Sequence, residues 1–216
     1  MPYLELHRDT RQNYDRLSRW YDSFSTSEER LTEIGLQLLS IQPCEQALEI
    51  GFGTGHSLVK LGRAVGEAGR VFGEDLSPGM VTVARQRVQN SGMDKRISLN
   101  IGDATYLPFR NNQFQVAFLS FTLELFNEKE IQVVLAECWR VLLPAGRLGI
   151  VSLLKKDTYP VKIYERFHRL FPKVVDCQPI SVRPILEEAR FEITKITEEQ
   201  LWGLPVAALV AIKCQG

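Results

Sequence analysis

Apolar positions change period along the chain, and each change marks an element. Tyr14, Leu17, Trp20, Tyr21 and Phe24 recur at helical spacing among Asp, Arg and Ser, which predicts an amphipathic helix with an aromatic stripe. Ser25 and Thr26 each stand three residues before a glutamate, a helix-start pattern. Leu31, Ile34, Leu38 and Leu39 then form one face of a second helix, ended by Ile41-Gln42-Pro43. Beyond it, short apolar runs alternate with helical periods. Strands are expected at Ala47–Ile50, Arg70–Asp75, Ile97–Ile101, Phe114–Ser120, Arg147–Leu153, Phe191–Thr197 and Val206–Lys213. Helices are expected near 57–65, 78–90, 129–141, 159–171 and 184–189. Phe114–Ser120 is apolar almost throughout, as a strand covered on both faces must be. Strand–helix–strand alternation implies a parallel sheet with right-handed crossovers, an α/β doubly wound fold with helices on both faces. The first two helices precede this core, so residues 1–42 are expected as an N-terminal helical lid on a single unit, 43–216.

The stretch that carries chemistry is Ala47-Leu48-Glu49-Ile50-Gly51-Phe52-Gly53-Thr54-Gly55. A buried strand ends in an acid, then turns through three alternate glycines into a helix. Such a turn lets a ligand approach the backbone closely, and the helix start offers it unpaired N–H groups. The dinucleotide fingerprint needs its third glycine one residue later, and a Walker loop needs a following Gly-Lys-Ser/Thr that is absent. Glu74 and Asp75 end the second strand. Asp75 lies 20 residues beyond Gly55, where an acid that reads ribose hydroxyls belongs in a nucleotide fold. Ser77-Pro78 then opens the next helix as cap and first-turn proline.

Composition narrows the classes. Lys+Arg and Asp+Glu number 26 each, so the 216-residue chain lacks the basic surplus of a nucleic-acid binder. Cys44, Cys138, Cys177 and Cys214 are widely spaced without C-x-x-C, which predicts reduced, mostly buried thiols of a cytoplasmic protein. No apolar run reaches membrane-spanning length, and the first ten residues lack the apolar core of a signal peptide. No His/Cys/Asp/Glu spacing suggests a metal.

Four stretches in order, ALEIGFGTG, VFGEDLSPGM, GDATYLPF and ECWRVLLPAGRLGIV, resemble class I S-adenosylmethionine (SAM)-dependent methyltransferases, in particular the ubiquinone/menaquinone-biosynthesis (type 11) group. The resemblance covers roughly residues 47–151. It implies a Rossmann-like seven-stranded sheet whose last strand runs antiparallel to its neighbours, with SAM as cofactor. It implies that Gly51, Gly53 and Gly55 line the methionyl part of SAM, with Glu49 near its ammonium group. Asp75 takes the ribose hydroxyls, Leu76 lies against the adenine, and Met80 reaches the ligand's edge. Asp103 accepts from the adenine amino group while Ala104 donates a backbone N–H. Ser120 and Phe121 flank the sulfonium. The chain departs from the pattern at Gln115, where aspartate is usual, and at Ala145, which replaces the first glycine of a Pro-Gly-Gly turn. The quinone-type enzymes often carry a histidine just after the fourth strand. Here that region reads Ser120-Phe121-Thr122-Leu123, without one and without the Asn/Asp-Pro-Pro-Tyr/Phe of amino-methylating enzymes.

Methyl transfer is a displacement in which alignment of two bound reactants does much of the work. A phenol, carbon acid or protonated amine acceptor also needs a base. Glu124, Tyr14 and Tyr21 are the candidate catalytic residues, with His168 a further one. His56, at a helix start, reads as structural. The basic segment Lys155–Lys173 is a candidate cover for a lipophilic or anionic acceptor, and peripheral membrane contact is compatible with it. The expected partner is a small-molecule methyl acceptor methylated on O, N or C. Two other classes fit the pattern less closely: a non-catalytic SAM-binding or partner-binding protein, and a nicotinamide-dependent oxidoreductase.

Overall fold

The structure, a computed structural model, describes residues 26–170 and 177–214. Its seven strands are β1 (Gln46–Ile50), β2 (Arg70–Asp75), β3 (Ile97–Ile101), β4 (Phe114–Ser120), β5 (Leu142–Leu153), β6 (Phe191–Leu201) and β7 (Leu204–Lys213). They form one sheet in the order β3-β2-β1-β4-β5-β7-β6. β1 to β5 are mutually parallel, and β7 is antiparallel to both β5 and β6, as expected. The order reverses between β1 and β4, so a crevice opens at their carboxyl ends, where ligands bind in such sheets.

Helices cover both faces: α1 (Thr26–Leu39), α2 (His56–Ala64), α3 (Pro78–Asn90), α4 (Glu128–Val141), α5 (Tyr159–Leu170) and α6 (Val182–Glu188). Alternation along β4 divides the core. Ala117 and Leu119 face the α4 side with Leu135 and Cys138, while Val116 and Phe118 face the α1–α2 side with Leu31, Leu58 and Leu61. The capping of α3 follows the sequence: Ser77 Oγ accepts from Met80 N at 3.1 Å, with Pro78 at the first turn. α4 begins on a capping box that the sequence reading passed over, Asn127 with Glu130.

Three expectations need correction. First, α1 is a layer of the core rather than part of a separable lid. Leu31 and Leu39 are fully buried, and Gly35 lies so close to the sheet that a β-carbon there would stand 2.5 Å from Val151 Cγ2. The aromatic stripe of the first expected helix, including Tyr14 and Tyr21, and Ser25 lie outside the described residues. Second, β5 starts at Leu142, directly after α4, with Leu142 paired to Phe114 across a register shift. Pro144-Ala145-Gly146 is carried inside the strand, and Ala145 takes φ 59°, where an L-residue is strained and the usual glycine is not. Third, β6 and β7 run on to a two-residue hairpin. Trp202 and Gly203 have φ 51° and 83°, the two positive values of a type I′ turn, and Leu201 pairs Leu204. Gln115, the other departure, has a local use: its side-chain oxygen accepts from Gln46 N at 2.9 Å and ties β4 to the start of β1. All four cysteines are free, but only Cys138 is buried; Cys177 and Cys214 are half-buried and Cys44 is exposed, so the expectation of mostly buried thiols does not hold. No described helix is long and apolar enough to cross a membrane.

Candidate functional site

The three glycines after β1 have φ between 53° and 83°, and they serve different ends. A β-carbon on Gly55 would meet Ala84 Cβ at 2.9 Å, so this glycine lets α2 approach α3 and does not line the cavity, contrary to expectation. A β-carbon on Gly53 would meet nothing within 4 Å. Its side faces open space, and its N–H donates to Asp75 Oδ2 at 2.8 Å. Gly51 N is held by Glu74 O at 2.8 Å, which registers the turn against β2.

The turn forms one wall of a cavity over the carboxyl ends of β1, β2 and β4. Of the residues expected at a ligand, Glu49, Gly51, Gly53, Asp75, Leu76, Met80, Asp103, Ala104, Ser120 and Phe121 all line it. Asp75 Oδ1 accepts from Ser77 N at 2.9 Å, so both its oxygens are oriented by backbone N–H groups. Asp103 Oδ1 accepts from Thr105 N at 2.8 Å and Thr105 Oγ1 at 2.7 Å. Phe121 takes φ 51°, with its N–H donating to Val151 O at 2.8 Å, an uncommon conformation that turns the chain sharply off β4.

Sequence reasoning missed part of the wall. α1 contributes Glu28, Glu29 and Thr32, and the Thr32 and Ser120 hydroxyls lie 2.7 Å apart. His56 and Lys60 come from α2. Glu29 Oε1 is 3.4 Å from His56 Nδ1, and Lys60 pairs with Glu33 at 3.1 Å. Spacing along α1 could have found Glu28, Glu29 and Thr32, since one helical face carries them. Nothing in the linear pattern brought α1 to this crevice.

The candidate base Glu124 is fully buried in a short 3₁₀ turn (Leu123–Leu125) and does not line the cavity. Its Oε1 accepts from Leu153 N at 3.1 Å, which makes it a brace between this turn and β5. Tyr14 and Tyr21 lie outside the described residues, and His168 sits where the side chain is not described.

The cavity is strongly acidic. Glu28, Glu29, Glu49, Glu74, Asp75 and Asp103 line it, against Lys60 and His56. Glu49 and Glu74 are 1% and 2% exposed. Burial pushes Glu49 up to about 8, against the hydrogen bond from Ser57 Oγ and with help from the Asp75 charge. Burial likewise pushes Glu74 up to about 7, opposed by a hydrogen bond with Asn100 and reinforced by Asp75 and Asp103. One carboxylate oxygen of each, Oε2, is buried with no hydrogen-bond partner among the described residues. Crowded acids of this kind favour a cationic ligand, which relieves their repulsion and the cost of ionising them. Among the described residues no His/Cys/Asp/Glu group is arranged to hold a metal ion.

Behind the cavity, Glu137 and Arg140 of α4 grip the loop that follows Asp103. Glu137 Oε2 accepts from Leu107 N at 2.8 Å, and Arg140 donates to Leu107 O at 3.0 Å and Phe109 O at 2.7 Å. Arg140 also chelates Glu137 at 2.6 and 2.7 Å. Although burial opposes it, the hydrogen bond and charge of Arg140, with the Leu107 N–H, hold Glu137 below the usual carboxylate range.

A family model described as a methyltransferase domain matches residues 47–146. The demethylmenaquinone methyltransferase of Lactobacillus johnsonii is 28% identical over 171 residues, covering 76% of this chain and 69% of that protein. The ubiquinone/menaquinone biosynthesis C-methyltransferase UbiE of Vibrio cholerae is 32% identical over 174 residues, covering 71% and 66%. The chain thus spans about two thirds of the length of these relatives. A crystal structure of a SAM-dependent methyltransferase from Aquifex aeolicus superposes with TM-score 0.71 at 22% identity, covering 93% of this chain and 98% of that one.

Proposed function

The chain is a class I SAM-dependent methyltransferase resembling the ubiquinone/menaquinone-biosynthesis group, and from that premise we propose that its acid-walled cavity takes SAM and passes the methyl group to a small aromatic acceptor of the quinol type. The observation that carries this reading is the acidic surplus at the glycine turn. SAM brings a sulfonium and an ammonium group against one carboxylate, and the cavity sets six acids against Lys60 and His56.

We assign the residues as follows. Gly53 leaves the room at the turn, and Glu49 meets the ammonium group through its unpartnered Oε2. Asp75 receives the ribose hydroxyls on an orientation set by Gly53 N and Ser77 N. Leu76, Met80 and Ala104 pack around the adenine, and Asp103 accepts from its amino group. Ser120 and Phe121 stand at the sulfonium end. When bound, SAM supplies a methyl group made electrophilic by the positive sulfur. The protein's part is to hold acceptor and methyl in line and to keep water out while charge disappears.

The quinol class is favoured by the quinone-biosynthesis activities for which the two relatives are named. The cytoplasm is the compartment that fits four free thiols.

The test is transfer of label from methyl-tritiated SAM to reduced 1,4-naphthoquinone, simple phenols and primary amines, with extraction of the product. Label in the extracted quinol fraction supports the assignment. Label only in phenol or amine products moves the acceptor class. No transfer by a protein that binds S-adenosylhomocysteine (SAH) favours a non-catalytic SAM-binding role.

A further inference from the structure

We propose that Glu74 is a further cofactor contact: its carboxyl group, held neutral, donates an O–H from Oε2 to a ring nitrogen of the adenine. This role deepens the methyltransferase reading and rests on it. Glu74 lines the cavity, is only 2% exposed, and serves none of the SAM groups assigned so far.

The sheet sets this carboxyl at the adenine end. Glu74 is the last residue but one of β2, next to Asp75, the acid assigned to the ribose. It pairs in register with Ile50 of β1 and Asn100 of β3. Residues in register on parallel strands point to one face, so Glu74 turns with Ile50 to the α4 side. There it lies against Gly102, where a β-carbon would overlap its Oε1. Gly102 N donates to Asp75 O at 3.0 Å and fixes that approach. Asp103 and Ala104 follow at once, so Glu74 stands between the ribose acid and the acid that accepts from the adenine amino group.

Its two oxygens are unequal. Asn100 hydrogen-bonds the side chain, while Oε2 is buried without a partner among the described residues. A buried polar oxygen left alone is costly, so an occupant that pairs with it gains affinity. Charge attraction does not account for an acid at this place, because adenine is uncharged. Apart from its amino group, the base offers ring nitrogens that accept. A carboxylate has no proton to give them, and a carboxylic acid has one.

The surroundings favour the acid form. Burial holds the proton on Glu74 against the Asn100 hydrogen bond, and the charges of Asp75, on the same strand, and Asp103, after β3, act in the same direction as burial. A flat, uncharged base entering beside the group excludes water and strengthens this hold. A carboxylic acid kept neutral in such a site serves as a hydrogen-bond donor.

The experiment titrates the full chain calorimetrically with SAH and with its 1-deaza, 3-deaza and 7-deaza analogues, each lacking one ring nitrogen. Glu74→Gln keeps a donor in place of Oε2 while its oxygen still pairs with Asn100, so it should bind SAH within about threefold of the parent. Glu74→Leu and Glu74→Ala remove the donor and should each bind about tenfold more weakly. Either one suffices if the other fails to fold. One deaza analogue should bind the parent about tenfold more weakly than SAH, and that deficit should vanish in the Leu and Ala variants. A parent that binds all three analogues as tightly as SAH overturns the proposal without any variant. So do equal analogue deficits in the parent and in the Leu and Ala variants, and so does Glu74→Gln binding SAH as weakly as they do, which makes charge rather than the proton the contact. A parent that binds no SAH contradicts the methyltransferase reading instead.

Discussion

Replacing Glu49 with glutamine should stabilise the fold and weaken the ligand at once. Folded Glu49 titrates at about 8, against 4.5 for an ordinary glutamate, with burial as the first cause. Between those values the folded chain keeps a proton that the unfolded chain has lost. The folded state therefore binds more protons, and stability falls as pH rises from about 4.5 until it levels near 8. At pH 7 the folded protein carries the cost of about 2.5 pH units at 1.4 kcal/mol each, or about 3.5 kcal/mol. At pH 5 that cost is under about 1 kcal/mol. Glu49→Gln removes the ionisable group while its amide oxygen still accepts from Ser57. Urea unfolding of parent and variant between pH 5 and 8 should show a gain for the variant that grows from under about 1 to about 4 kcal/mol. SAM affinity of the variant should drop tenfold or more, because the ammonium group loses its charged partner. Glu74 adds a slope of the same sign in both proteins and cancels in the difference. Parallel stability curves for parent and variant would refute the reasoning.

Other substitutions test the frame around the site. Gly55→Ala puts a β-carbon 2.9 Å from Ala84 at φ 83° and should cost about 2–4 kcal/mol in denaturant unfolding. Asn127→Ala removes the capping box of α4 and should cost about 1 kcal/mol, lowering Tm by a few degrees. Glu124→Gln disturbs a brace rather than a base, so stability should fall by about 1–3 kcal/mol while kcat stays within threefold; a loss of a hundredfold would return Glu124 to the chemistry.

The fold was legible where each element carries its own signal. β2, β3 and β4 have the boundaries their apolar runs predict, because short hydrophobic stretches between turn residues leave little choice of register. The ladder from Leu142 was not legible. Its first residues follow a helix without a turn, and Ala145 holds a conformation that its own chemistry disfavours. The Trp202-Gly203 hairpin was missed because Trp is a poor advertisement for a left-handed turn position. At the site, residues set by local spacing were found: Asp75 after the glycine turn, Asp103 after β3. Residues that depend on tertiary placement were not. Glu28 and Glu29 reach the cavity because Gly35 lets α1 press against the sheet. Burial misled in the other direction at Glu124, an acid set between Leu123 and Leu125 that the fold closes over completely.

The central claim is that the cavity holds SAM, and calorimetric titration of the purified chain tests it most directly. SAM and SAH should bind at micromolar concentration, at least tenfold more weakly in Asp75→Ala, and NADH should not bind. Binding of NADH with none of SAM or SAH would contradict the account.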